Sequence, residues 1–146
     1  MSTTLDYATY NYGSLQFEVP RTSREIVFNR GDKVRSVEIL IYLEDELYGI
    51  KIAPEKFKGT AEEACKKSFI SASPLFVDED MPPTQVGIAW RCKKRLLDGA
   101  QAPLVLDSAF VEDNGNIIQL ALVCHHEKYA EVKPIFDHAI ETLRLV

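Results

Sequence analysis

Alternation of hydrophobic and polar residues predicts strands over most of the chain. Residues 14–19 place Leu15, Phe17 and Val19 on one face, and Pro20 ends the strand. Further strands are predicted at 37–43, 47–52, 85–92, 104–111 and 117–124, and residues 26–28 form either an edge strand or part of a buried loop. Residues 37–43 are almost continuously apolar, which is typical of a strand that is covered on both faces.

Two segments show helical spacing instead. Thr60-Ala-Glu-Glu63 matches a capping box, which predicts a helix over about 60–72. A second helix is predicted over 134–144, with one irregular turn from Tyr129 before it as an alternative, because Pro134 suits the first turn of a helix better than its interior. Its apolar stripe would comprise Ile135, Phe136, Ala139, Ile140 and Leu143.

The turn signals set the order of these elements. Asn114-Gly115 lies between two apolar runs and predicts a β-hairpin, since both residues tolerate positive φ. Segments 20–34 and 74–84 are expected to be loops, and the acidic stretch 78–83 an exposed one. Strands, a helix, further strands and a final helix predict one α+β domain over 1–146, with a central, mainly antiparallel sheet and a C-terminal helix.

Composition narrows the class of protein. The chain has 146 residues, of which 46% are hydrophobic and 27% charged, as in an ordinary soluble domain. Its 17 Lys and Arg against 22 Asp and Glu give a net charge of −5, which disfavours nucleic-acid binding. The sequence shows no signal peptide and no apolar run of spanning length, and its odd cysteine number argues against a disulfide scaffold. We therefore expect a cytoplasmic protein with reduced, structural cysteines and no membrane insertion.

Candidate chemistry is sparse. His125 and His126 are adjacent, so on a strand they would face apart and bind no common metal ion. Cys124 faces away from His125 for the same reason, which disfavours a nucleophile. The basic run 91–95 is interpreted as a solvated strand end, with an anion-binding patch as the alternative. The sequence therefore predicts no catalytic, metal-binding or cofactor-binding residue.

The strands suggest a binding surface. Leu40 and Tyr42 oppose Ile39 and Ile41 across strand 37–43, and strand 117–124 is likewise apolar on both faces. Two short helices leave part of such a sheet uncovered, unless the loops cover it. The predicted partner-binding surface is one sheet face carrying Glu38, Arg91, Gln119 and Ala121. A homodimer is the alternative way to hide this face.

The two ends of the chain resemble a known superfamily. Tyr12-Gly-Ser-Leu-Gln-Phe-Glu-Val-Pro20 resembles the first strand of PsbP-like proteins, and residues 129–144 resemble their last helix. The resemblance implies an α-β-α sandwich with a long C-terminal helix and no shared catalytic residues. Within the superfamily, the chain is most similar to the cytoplasmic Eag chaperones, which hold hydrophobic segments of secreted effectors, and it also resembles the DcrB-like group.

Three functional hypotheses follow. The first is a non-enzymatic cytoplasmic chaperone or adaptor that holds an apolar segment of an effector. The second is an immunity-type protein whose acidic surface neutralises a cognate toxin. The third is an enzyme of unrecognised type, which the sequence favours least.

Overall fold

The structure is a computed structural model that describes residues 6–30, 34–44, 46–71, 81–96 and 104–146. These residues form ten strands and two helices. The strands are β1 (Tyr7–Tyr12), β2 (Leu15–Pro20), β3 (Arg24–Arg30), β4 (Val34–Leu43), β5 (Glu46–Glu55), β6 (Met81–Val86), β7 (Ala89–Leu96), β8 (Leu104–Asp113), β9 (Asn116–His125) and β10 (Arg144–Leu145). The helices are α1 (Ala61–Ser71) and α2 (His126–Glu141).

The architecture is predominantly β. Seven strands form one antiparallel sheet in the order β3-β4-β5-β9-β8-β7-β6, and β1, β2 and β10 form a second sheet in the order β1-β2-β10. The prediction of an α+β domain built as an α-β-α sandwich is therefore wrong. An antiparallel sheet and a long C-terminal helix are present. On one side of the large sheet, however, the layer consists of α2 together with the small sheet β1-β2-β10, where the prediction expected helices alone.

The core lies on one face of the seven-stranded sheet, which we call the inner face. Alternate residues of β4, β5 and β9 point to it, because side chains of a strand alternate between faces. Against them pack α2 and the small sheet, with Leu15, Phe17 and Val19 all buried as predicted. The opposite face, which carries α1, is called the outer face.

In two hairpins, residues with positive φ mark where one strand ends and the next begins. Asn114 and Gly115 have φ of 50° and 82°, which confirms the predicted turn between β8 and β9. Gly87 has φ of 59° and turns the chain between β6 and β7. The single strand predicted over 85–92 is therefore wrong, since its alternating pattern contains a turn at 87–88.

Helix α2 starts eight residues before the predicted position, because it begins at His126 rather than Pro134. Pro134 lies inside the helix, where it removes one hydrogen bond of the backbone ladder. Burial of Tyr129 and Val132 in the added turns offsets this cost. The predicted apolar stripe through Leu143 is confirmed by its burial.

Helix α1 agrees with its prediction. The backbone N–H of Glu63 donates to Oγ1 of Thr60 at 3.1 Å, and the N–H of Thr60 donates to Oε1 of Glu63 at 3.1 Å. Glu112 of β8 accepts a further hydrogen bond, at 2.8 Å, from the N–H of Ala61. The capping box thus begins the helix, and a strand of the sheet anchors it.

The predicted loops are partly strands. Residues 24–30 of segment 20–34 form β3, and Met81, Pro82 and Pro83 of the predicted acidic loop lie in β6. Residues 78–80 and most of the predicted loop 74–84 lie outside the described residues. In the part of the chain that the structure describes, no helix is long and apolar enough to cross a lipid bilayer.

Candidate binding surface

The outer face of the large sheet consists of two unlike halves. Helix α1 packs against β6, β7 and β8 and buries Cys92, Phe110 and Ile117. The outer-face side chains of β3, β4, β5 and β9 form the other half, which we call the open half. Its exposed apolar residues are Ile26 (40% exposed), Phe28 (47%), Tyr42 (48%), Leu47 (53%) and Val123 (52%).

Strand register brings the open half together from distant parts of the sequence. Tyr42 lies opposite Leu47, and Glu38 lies opposite Lys51. Lys51 in turn lies opposite Ala121 of β9. The floor of this surface is therefore a set of cross-strand pairs, which are the units that hold a sheet face together.

A glycine shapes the middle of the open half. A Cβ atom at Gly49 would collide with the carboxylate of Glu38, so the Glu38 side chain lies flat across the Gly49 backbone. The absence of a side chain at Gly49 thus makes a shallow depression, and the carboxylate occupies it. The Glu38 carboxylate thus lies low on the surface, and Glu38 is paired across strands with Lys51.

The outer row of β9 runs between two cavities. One, of about 240 Å³, is lined by residues that include Phe57, Phe110 and Gln119. The other, of about 260 Å³, is lined by residues that include Leu47 and Val123. At about 3.3 Å per residue, Gln119 and Val123 lie roughly 13 Å apart along the strand. The row and its two cavities could therefore accept an extended segment of four or five residues.

Charged side chains stand at both ends of this row. Glu55 and Lys67 line the first cavity, and the ammonium of Lys67 lies 5.3 Å from the ring centre of Phe57. At the second cavity, Nζ of Lys128 lies 3.4 Å from Oε1 of Glu46. An apolar floor with charged ends is the usual layout of a protein-binding surface, with a polar rim around an apolar centre.

The inner face carries a buried network of charges. Arg91 of β7 forms two hydrogen bonds with Asp107 of β8, of 2.9 and 2.6 Å, and an ion pair of 2.7 Å with Asp137 of α2. The hydroxyl of Tyr129 donates to Asp107 at 2.6 Å, and Lys133 pairs with Asp137 at 2.7 Å. Two cations thus balance two anions, and the network fixes α2 against the sheet.

The protonation states in this network follow from the surroundings. Burial alone would lower the pKa of Arg91, but the hydrogen bonds and charges of Asp107 and Asp137 outweigh it and raise the pKa. Burial alone would raise the pKa of Asp137, but Lys133 and Arg91 lower it. Burial and the neighbouring Asp107 raise the pKa of Tyr129. Arg91 and Asp137 therefore stay charged and Tyr129 stays neutral near pH 7.

The structure brings three of the four predicted partner-binding residues together. Glu38, Gln119 and Ala121 all lie on the outer face, and adjacent strand pairs connect them. Arg91 does not join them, because it points to the inner face, where it is 7% exposed. The interpretation of 91–95 as a solvated strand end also fails here, since Arg91 and Lys94 are both buried in the interior strand β7.

Sequence reasoning missed residues on both faces. Tyr42, Leu47 and Val123 are each about half exposed on the outer face, but alternation alone does not show which of two apolar rows is covered. Asp107 had a visible signal, since it is a single charge inside the apolar run 104–111. Such a residue in an interior strand indicates a buried ionic partner.

The three cysteines, which were considered as possible nucleophiles or metal ligands, lie in buried or partly buried positions. Cys65 of α1 and Cys92 of β7 are buried together between the helix and the sheet. A hydrogen bond with Cys92, together with burial, raises the pKa of Cys65. Burial and the charge of Asp107 raise the pKa of Cys124 to about 11. These cysteines are free thiols. Among the described residues, no three His, Cys, Asp or Glu side chains are grouped as metal ligands.

The three histidines lie near α2. His125 ends β9 and His126 begins the helix. His138 of α2 is half-buried. Its ring stacks on Tyr7 with ring centres 3.8 Å apart, and its Nε2 lies 2.7 Å from Oε1 of Glu18. His138 therefore helps to join α2 to the small sheet.

Comparison with known proteins establishes the fold alone. No protein-family model matches the chain, and no curated protein matches it. Among solved structures, the chain is similar to the crystal structure of PA94 from Pseudomonas aeruginosa, a protein of unknown function described as a candidate regulator. The two share 13% sequence identity with a TM-score of 0.58, over 96% of this chain and 97% of that one. The chain thus has the fold of PA94 over nearly its whole length.

Proposed function

We propose that this chain is a non-enzymatic protein-binding module, which holds an extended apolar segment of another protein on the open half of its sheet. A cytoplasmic chaperone or adaptor for a secreted effector is the specific role that we propose. The observation that best supports this proposal is the group of exposed apolar side chains on the open half, at Tyr42 of β4, Leu47 of β5 and Val123 of β9. The cytoplasmic setting is supported by three cysteines that are free thiols.

The energetics favour a partner over permanent exposure. Burying one large apolar side chain contributes roughly 1.5–3 kcal/mol, and the open half carries several such side chains at about half exposure. Ordering the bound segment and restricting its motion would cost part of this gain. A segment that also places apolar groups in the two cavities would bind with measurable affinity.

A titration with synthetic peptides tests the proposal. The probes are short extended peptides that alternate apolar and polar residues, and binding is followed by amide chemical shifts of the labelled protein. We expect the largest shifts at Ala121, Val123 and Leu47. Val123→Asp should abolish binding without unfolding the protein, because Val123 is 52% exposed.

Ile88→Asp is the matched control, since Ile88 is also an exposed apolar residue, at 43%, but lies in the turn between β6 and β7. This variant should bind the peptides as the parent chain does. Equal loss of binding in both variants, or chemical shifts confined to another surface, would contradict the proposed site.

A further inference from the structure

The two edges of the seven-stranded sheet differ in their capacity to accept another strand. Strand β6 forms one edge and contains Pro82 and Pro83, which have no N–H to donate. Its register with β7 also shifts between Met81 and Thr84. Prolines and irregular register are the devices by which sheets prevent pairing at an edge.

Strand β3 forms the other edge and has neither device. Its seven residues pair with β4 without interruption, and they include no proline. Within the described residues, β4 is its only strand neighbour. Ile26, Val27 and Phe28 at its centre are 40%, 37% and 47% exposed. The strand therefore offers both unpaired backbone groups and apolar side chains.

The central residues of β3 complement a second copy of themselves. Antiparallel pairing about a two-fold axis at Val27 would place Ile26 opposite Phe28 of the second copy, and Val27 opposite its equivalent. Ile26, Val27 and Phe28 then each lie opposite an apolar residue, which is the pairing that stabilises antiparallel strands. The same register sets Arg24 opposite Arg30 at the two ends of the strand, a like-charge cost that the central apolar pairs must exceed. Glu25 accepts a hydrogen bond from the Tyr10 hydroxyl, so its carboxylate has a hydrogen-bond partner within the chain.

We propose that two copies of this chain associate through their β3 edges, in antiparallel register about Val27. A two-fold axis perpendicular to the sheet joins the two seven-stranded sheets into one and keeps both outer faces on the same side. The two open halves then become neighbours. This association does not depend on the proposed function, because it uses the strand edge rather than the row along β9.

Substitution at the two-fold axis tests the pairing. Val27→Lys puts two like charges opposite each other, which should raise the dissociation constant of the dimer by on the order of 100-fold. Val27→Glu should have the same effect. The folded monomer should tolerate both changes, because Val27 is 37% exposed. Circular dichroism checks the fold, and sedimentation velocity over a range of concentrations measures the association.

Mixing the two variants gives the decisive measurement. Equal amounts of Val27→Lys and Val27→Glu should form a heterodimer, since opposite charges then meet at the axis. Val123→Lys is the control, because it changes an exposed apolar residue away from the edge and should dimerise normally. A parent chain that stays monomeric at every concentration, a dimeric Val27→Lys variant, or a mixture without heterodimer would each overturn the proposal.

Discussion

The two faces of the large sheet have similar sequences and opposite environments. Along β9, Leu120 and Leu122 of the inner row are fully buried, whereas Val123 of the outer row is 52% exposed. Both rows are largely apolar, so hydrophobicity does not distinguish them. The difference arises from the covering elements, since α2 and the small sheet cover the inner face and α1 covers only half of the outer face. Apolar residues in a strand therefore indicate burial or binding, and packing decides which.

The largest expected effect is on stability, and it should differ between the inner and outer rows of β9. Leu122→Asp should unfold the protein, because an unpaired carboxylate in the core costs several kcal/mol against a total stability of about 5–15 kcal/mol. Val123→Asp, one residue further along the same strand, should change stability by about 0.5 kcal/mol or less. Urea denaturation followed by circular dichroism measures both. If the two variants unfold alike, the open half is covered in solution.

The second prediction concerns the buried network of Arg91, Asp107 and Asp137 on the inner face. Arg91→Met should lower the free energy of unfolding by about 3–5 kcal/mol, because Asp107 would be left charged and 0% exposed. Adding Asp107→Leu should recover part of the loss, since the uncompensated charge is then removed.

The matched control for Arg91 is Arg21→Met, which breaks the exposed ion pair between Arg21 and Asp6. A surface pair of this kind contributes about 0–1 kcal/mol. Urea denaturation of the three variants separates the two environments. A loss at Arg91 no larger than that at Arg21 would show that the inner network is solvated.

The sequence predicted local features of the fold better than its layers. The Asn114-Gly115 turn and the Thr60 capping box are decided by neighbouring residues, and both are present. The predicted start of α2 at Pro134 was wrong. The hydrogen bond that a proline removes from a helix is offset here by contacts of α2 with distant strands, including the hydrogen bond from Tyr129 to Asp107. Most of the small sheet was missed as well, since β10 has only two residues and depends on β2 for its pairing.

For the candidate binding surface as well, the sequence predicted what neighbouring residues of one strand determine, but not what depends on packing between elements. Alternation places Gln119 and Ala121 on one face of β9 without knowledge of any other strand. The position of Arg91 was not predictable in this way. Its two partners, Asp107 and Asp137, lie on other elements, and only the packed structure shows which face of β7 they approach.

The smallest predicted effect concerns the covered half of the outer face. Thr60→Ala removes the hydroxyl that accepts the hydrogen bond from the N–H of Glu63, and it should lower the free energy of unfolding by about 1 kcal/mol. Glu62→Ala is the control, since it removes only the exposed pair with Lys66, worth about 0.3–0.5 kcal/mol. Hydrogen exchange of the β7 amides gives the sharper measurement, because a loosened α1 should leave β7 less protected. If Thr60→Ala changes neither stability nor exchange, packing against Cys92 and Phe110 holds α1 without its cap, and the two halves of the outer face differ through burial alone.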